Sequence, residues 1–298
     1  MSDEIVPPAN APSAWDRVKL ARHADRPHAF DYIHHLAADW VELHGDRAFG
    51  DDRALIGGLG TIAGRTVMIL GHQKGQDTKE NIARNFGMAR PEGYRKAERL
   101  MRHAAKFGFP VLTLIDTPGA EPGIGSEERG QATAIAESLL AMADLGVPTV
   151  AVVIGEGGSG GALAIGVADR MLMLENAIYA VASPEACAAI LWKDAAKAPE
   201  AAETMRITGA DLKRLGIIDE IIPETVPAHE DPQATMGAAG EAIVRHLDDL
   251  ADRFPLSSPG SIERMRAERY ARFRNIGAWR ESSPLAAPNG VEVDISLR

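Results

Sequence analysis

Cysteine is all but missing from this 298-residue chain: Cys187 stands alone. One thiol excludes an intrachain disulfide and a cysteine-built zinc site, and it fits a reducing compartment. No apolar run approaches the roughly 20 residues that span a bilayer, so no membrane span is expected. Residues 1–13 hold Asp3 and Glu4 but neither a basic cluster nor an apolar stretch. They do not read as a signal peptide and are expected to be disordered; the cytoplasm is the expected location. Positive charge is short too. A formal net charge of −10 speaks against nonspecific nucleic-acid binding, which rests on neutralising phosphates. Histidines at metal-ligand spacing are missing, and no metal is expected. His34 and His35 are adjacent, so a helix cannot turn both toward one ion. Together with His23, His28 and His44 they read as surface.

What is present suffices for a substantial core. Hydrophobic residues make up 45% of the chain, enough for one large domain or a domain with helical additions. Charge is uneven: from His72 to Lys106, nine Lys or Arg stand against four acids. The plain reading is a solvated helix face. The sharper one is a patch that meets a phosphorylated ligand or an acidic partner.

Apolar spacing and caps predict helices over residues 14–23 behind Ser13, 29–43, 91–107 opened by Pro91, and 126–143. Strands are expected at 54–59, 66–70, 111–116, 150–154, 170–174 and 177–182. Ser183-Pro184-Glu185 caps another helix, helical stretches follow at 195–205 and 210–215, and 217–222 reads as a short strand. The tail after Pro255 is charged and helical, with an irregular end. Strands alternating with helices through short connections predict an α/β fold with a mostly parallel sheet.

Two of these strands run into glycine corners. One is Gly155-Glu-Gly-Gly-Ser-Gly-Gly161 and the other Thr117-Pro-Gly-Ala-Glu-Pro-Gly-Ile-Gly125. α/β folds bind ligands at such strand ends. A glycine corner that opens a helix presents unpaired N–H groups to a negative oxygen. Three readings compete for the first corner. Gly155-x-Gly157-x-x-Gly160 fits a dinucleotide site, with Glu175 as the ribose acid. Only residues 161–169 are then left for a crossover that needs about a dozen residues. Gly157-x-Ser159-x-Gly161 fits a serine hydrolase elbow, yet the downstream histidines, His229 and His246, sit in no triad-like context. The third reading is an oxyanion hole without a nucleophile, in which the main chain of Gly160 and Gly161 is the catalyst. Tight packing is expected to account for one or two of the five glycines within these seven residues, not for all.

Read together, the corners resemble the crotonase superfamily. Closer still, Gly71-His-Gln-Lys-Gly75, Asn85-Phe-Gly-Met88, Pro91-Glu-Gly-Tyr-Arg-Lys96, Asp116-Thr-Pro-Gly-Ala120, Glu127-Glu-Arg-Gly-Gln131 and the first corner resemble the alpha subunits of bacterial acetyl-CoA carboxylase carboxyltransferase. Ser183-Pro-Glu185, Ile190-Leu-Trp-Lys193 and Gly216-Ile-Ile-Asp219 extend the likeness. The resemblance implies a crotonase-like spiral of ββα units with N- and C-terminal helices. The units expected are a disordered terminus (1–13), a helical segment (14–50), the core (51–225) and a C-terminal helical region with its tail (226–298).

It implies, too, transfer of a carboxyl group from carboxybiotin on a biotin carboxyl carrier protein to acetyl-CoA, giving malonyl-CoA for fatty acid synthesis. Propionyl-CoA is the alternative acceptor. Gly160 and Gly161 would stabilise the ureido oxygen of biotin, with Gly119 and Ala120 as a second donor loop. Gly157, Gly158, Ser159, Lys74, Arg95 and Arg99 are candidate substrate-binding residues. The implied partners are a zinc-bearing beta subunit in an α2β2 assembly, the carrier protein and, in the wider complex, biotin carboxylase. No metal is implied in this chain.

Overall fold

The computed structural model describes residues 12–277. Most of the terminus expected to be disordered, and the irregular end of the tail, lie outside the described residues. Helix α1 (Ala14–Ala21) starts at Ser13, whose hydroxyl accepts from Asp16 N at 3.1 Å. The helix expected over 29–43 is divided: α2 spans Ala29–Leu36 and strand β1 Ala38–Glu42. The reason is tertiary. β1 pairs antiparallel with β2 (Leu55–Ile62), Val41 opposite Leu59. Gly58 of β2 leaves room for it, since a Cβ there would come within 2.1 Å of the Val41 carbonyl. Pairing of this kind overrides helical periodicity.

β3 (Arg65–His72) returns along β2 through Ala63 and Gly64. Both have positive φ, 49° and 75°, the signature of a type I′ hairpin turn. α3 (Thr78–Ala83) and α4 (Pro91–Phe107) lead to β4 (Val111–Thr117). The helix expected over 126–143 is two, α5 (Ile124–Glu128) and α6 (Gln131–Ala143), separated at Gly130 with φ 80°. β5 (Thr149–Gly158) feeds directly into α7 (Ser159–Leu163). β6 (Arg170–Leu174), β7 (Ile178–Ala180), α8 (Pro184–Trp192), α9 (Ala198–Met205), α10 (Gly209–Arg214) and β8 (Glu220–Ile222) follow. Two long helices, α11 (Pro232–Arg253) and α12 (Ser261–Arg274), close the described chain.

The eight strands form one sheet in the order β1-β2-β3-β4-β5-β6-β8, with β7 beside the far half of β5. Pairings from β3 onward are parallel and only the β1–β2–β3 edge is antiparallel. β4 and β5 are central. Their residues are buried throughout, save Gly158 at the very end of β5, as expected of strands covered on both faces.

Two buried arginines tie the flanking helices to this sheet. Arg269 of α12 is 2% exposed. It makes a bidentate pair with Asp169 at 2.8 and 2.7 Å and donates to the Met142, Leu145 and Val147 carbonyls. Asp169 in turn accepts from Thr149 N at the start of β5. Arg26, between α1 and α2, pairs with Glu224 at 2.6 Å and donates to the Ile154 carbonyl. Such planar forks satisfy several buried acceptors at once.

Candidate functional site

Both glycine corners fall at the C-terminal ends of adjacent parallel strands, with Leu114 opposite Val152 and Thr117 opposite Gly157. At the first corner the chain turns within one residue, and Ser159 takes φ 54°. α7 has only five residues, so the N–H groups of Ser159, Gly160 and Gly161 have no acceptor inside it. No described side chain accepts from Gly160 or Gly161, while the Gly158–Ala180 register sets Ser159 N–H at the end of the β5–β7 ladder. At the second corner Gly119 N–H is spent on Thr117 Oγ1 at 3.1 Å, and that hydroxyl donates to the Gly119 carbonyl at 2.7 Å. Ala120 N–H has no acceptor among the described residues. Of the four predicted donors, then, Gly160, Gly161 and Ala120 offer free N–H groups and Gly119 does not.

The glycines of the first corner divide unequally. A Cβ on Gly155 would stand 2.4 Å from Asp116 Oδ1, one on Gly157 2.2 Å from the Tyr179 ring, and one on Gly158 2.2 Å from the Pro118 carbonyl. A Cβ on Gly161 would meet Ala120 N and Gly119 C at 2.7 Å. Gly160 alone has room, its nearest neighbours being Ile135 methyls at 3.8 Å. Close packing therefore explains four of the five glycines, more than the one or two expected. Gly161 holds the two corners together, while Gly160 leaves an open, partly exposed peptide beside exposed Ser159.

A buried charge cluster fixes the strand ends under the corners. Lys74 Nζ lies 2.7 Å from Asp116 Oδ1 and 3.3 Å from Glu156 Oε2. It thereby ties a residue just before one corner to a residue inside the other. Arg22 reaches Glu156 and Glu185, each at 2.6 Å. His28 Nδ1 stands 3.3 Å from Asp116 Oδ2. Burial opposes the charges of Asp116 and Lys74. For Asp116 the neighbouring Lys74 and His28 outweigh it and hold the carboxyl well below the usual range; for Lys74 the two carboxylates outweigh it and raise the ammonium. His28 is 6% exposed, so it is not the surface residue expected. Beside the cluster, Arg22, His23, His28, Lys74, Phe86 and Glu156 line a cavity of about 260 Å³.

The remaining predicted cations also face inward. Arg95 is held by Asp46 at 2.8 Å, by Glu92 at 3.1 Å and by the Arg129 carbonyl. Arg99 donates to the Gly45 and His44 carbonyls. Both brace the loop over residues 44–52. Asp46 of that loop accepts from three successive N–H groups, Ala48 to Gly50. Burial alone would raise its carboxyl, yet these bonds and Arg95 hold it down at about 2. Lys96, from the same basic segment, is buried against Asp51 and the Asp52 carbonyl. Lys74, Arg95 and Lys96 of this segment are internal wiring, whereas Lys79, Arg90, Arg102 and Lys106 are exposed, so it is part wiring and part solvated face. Glu156, His28 and Arg22 were not among the predicted site residues. The one available signal was an acid inside a glycine run, at Glu156.

Ser159 has the positive φ of a nucleophile elbow but no base. Its hydroxyl makes no hydrogen bond with a described residue, while His229 stacks on His23 at 3.7 Å and His246 pairs with Glu220 at 2.8 Å. A hydrolytic serine needs a base in reach, so the serine reading loses its support. Among the described residues no group of three His, Cys, Asp or Glu side chains is arranged to hold a metal, and no helix is long and apolar enough to cross a membrane.

Known proteins with the same sequence pattern are carboxyltransferases. The family model for acetyl co-enzyme A carboxylase carboxyltransferase-like proteins matches residues 10–277. The acetyl-coenzyme A carboxylase carboxyl transferase subunit alpha of Prochlorococcus marinus (strain MIT 9312) is 56% identical over 270 residues, which cover 90% of this chain and 78% of the relative. Its counterpart in Geobacter metallireducens is 54% identical, with 90% and 83% covered. Among solved structures, transcarboxylase 12S with hydrolyzed methylmalonyl-coenzyme A bound superposes with a TM-score of 0.63 at 22% identity. The match takes in 83% of this chain and 47% of that one, so this chain spans about half the transcarboxylase chain. A Pseudomonas malonate decarboxylase hetero-tetramer in complex with coenzyme A gives a TM-score of 0.60 at 22% identity, over 87% of this chain and 96% of that one. At such identity the structures share the fold, and with it the crotonase-like α/β architecture.

Proposed function

Because this chain belongs to the acetyl co-enzyme A carboxylase carboxyltransferase-like family, we propose that it is the alpha half of a two-subunit carboxyltransferase. With a zinc-bearing beta subunit, in an α2β2 assembly, it moves the carboxyl group of carboxybiotin, borne on a biotin carboxyl carrier protein, to acetyl-CoA, giving malonyl-CoA. Biotin carboxylase belongs to the wider complex, and the cytoplasm is the compartment. One observation carries the reading: Gly160 and Gly161 open α7 with N–H groups that no helix carbonyl takes, next to Ala120 of the other corner, and Gly160 leaves an open, side-chain-free peptide.

That surface suits a flat urea. Three backbone donors match an oxygen with lone pairs in its plane, and the missing Cβ at Gly160 lets a ring lie on the peptide. When bound, carboxybiotin would supply the carboxyl group, its freed ureido nitrogen would take the methyl proton of acetyl-CoA, and negative charge would meanwhile gather on the ureido oxygen. Gly160, Gly161 and Ala120 N–H groups bind and stabilise that charge from positions fixed before reaction, where each donor is worth about 10²–10³ in rate. Lys74, Asp116 and Glu156 hold the strand ends, and so the spacing of the donors.

The test is reconstitution. This chain, alone and with a beta subunit, is assayed for malonyl-CoA-dependent carboxylation of free biotin, with methylmalonyl-CoA as the competing donor. Activity that needs both chains and prefers malonyl-CoA supports the reading. Preference for methylmalonyl-CoA moves the acceptor to propionyl-CoA. No activity in a complex that demonstrably forms refutes it.

A further inference from the structure

Tyr94 lies in the stretch that opens α4, and the chemistry above gives it no part. Its side chain is fully buried and its hydroxyl has no hydrogen-bond partner. Burial pushes the phenol well above its usual range, so it stays neutral. The hydroxyl oxygen stands 3.0 Å from the point a Cβ of residue 161 would occupy, and the same point is 2.7 Å from both Ala120 N and Gly119 C. Tyr94 therefore reaches the spot where the two glycine corners touch. His72 is a second buried group there. It is 0% exposed, its ring lies by the Gly161 main chain, and neither nitrogen makes a hydrogen bond of normal geometry. Burial pulls it down to about 4, so it too stays neutral.

Leaving a buried polar atom unpaired lowers stability, and an apolar residue of the same shape avoids that loss. Phenylalanine would fill the Tyr94 site without the orphan oxygen. A void under a close backbone contact forfeits dispersion contacts on one side, and here that side is Gly161, which has no side chain of its own to fill the gap. We infer that Tyr94 is a positioning residue whose hydroxyl, wedged beneath the contact of Gly161 with Gly119 and Ala120, holds the Gly161 and Ala120 N–H groups at the separation one oxyanion requires. The inference rests on the proposed reading for its catalytic consequence and on geometry alone for the positioning.

Tyr94→Phe removes only the oxygen. Hydrogen exchange and thermal unfolding are measured on the whole chain, and kinetics on its complex with the beta subunit. The expected result is an unchanged or higher Tm, with at least about tenfold faster exchange at the bonded amides flanking the corners (Gly119, Glu121 and Ala164) and unchanged exchange elsewhere. kcat falls at least about tenfold, with KM for the acyl-CoA unchanged. Unaltered exchange at those amides overturns the inference whatever kcat does, since the hydroxyl is then filler or touches the ligand itself. A lower Tm with faster exchange throughout the chain also overturns it, because Tyr94 is then an ordinary core residue. If the wild-type complex is inactive, the proposed function fails on its own, and the exchange measurement still decides the positioning.

Discussion

Two neighbouring glycines of α7 should respond to the same substitution in opposite ways. In Gly161→Ala the new methyl meets main-chain atoms, Ala120 N and Gly119 C at 2.7 Å, as well as Tyr94 Oη at 3.0 Å. Main chain cannot swing aside as a flexible side chain does. Overpacking of this kind costs about 1–3 kcal/mol, and the better helix propensity of alanine offsets at most about 1 kcal/mol. A net loss of about 1–2 kcal/mol is expected, and the corners are forced apart, which displaces at least one donor. Losing one oxyanion donor lowers the rate about 10²–10³-fold. In Gly160→Ala the methyl meets nothing nearer than Ile135 at 3.8 Å, and the backbone is not in the left-handed region. Stability should hold or rise by up to about 1 kcal/mol. The methyl stands on the open peptide face, and activity should still fall at least about tenfold. Thermal unfolding of each variant and carboxylation of free biotin by its complex separate the two quantities. A Gly161→Ala chain with wild-type Tm and rate would refute the contact argument. Full activity in Gly160→Ala would show that no flat ligand lies on that peptide.

Further outcomes follow from the charge network and the buried groups. Lys74→Met leaves Asp116 and Glu156 facing each other without their shared cation; breaking a buried pair costs about 3–5 kcal/mol, and urea titration should show a loss of that order. Arg269→Ala strands Asp169 and four carbonyls, so a similar loss is expected, together with faster proteolysis between α11 and α12. His72 titrates near 4 in the folded chain and near 6.5 unfolded, so the unfolded state binds the extra proton. Stability therefore falls as pH drops from about 6.5 to about 4, by up to about 3 kcal/mol; in His72→Phe that part of the pH dependence should vanish from urea midpoints. The wild-type chain should not be labelled by a fluorophosphonate probe, because Ser159 has no base.

Local signals carried much of the fold. The Ser13, Ser183 and Pro91 starts, the central strands and the α/β alternation were legible because each depends on a few adjacent residues. The stretch over residues 29–43 was not. Its apolar spacing suits a helix, and only the room left by Gly58 and Gly60 on β2 lets its second half pair as a strand. The tail after Pro255 read as charged and helical, yet one of its arginines, Arg269, is a buried anchor. Nothing in the sequence marks which arginine turns inward.

The candidate site shows the same division. The sequence by itself determined the strand-to-glycine corners, because the order of residues along the chain suffices for them; that Ser159 has no base took the structure. Only the tertiary structure decided what each residue does there. It spent Gly119 N–H on Thr117 and left Ala120 N–H free. It separated one open glycine from four packed ones and turned Lys74, Arg95 and Arg99 inward. Free donors, steric room and paired charges are relations between segments distant along the chain. They come into being only when β4 and β5 lie side by side.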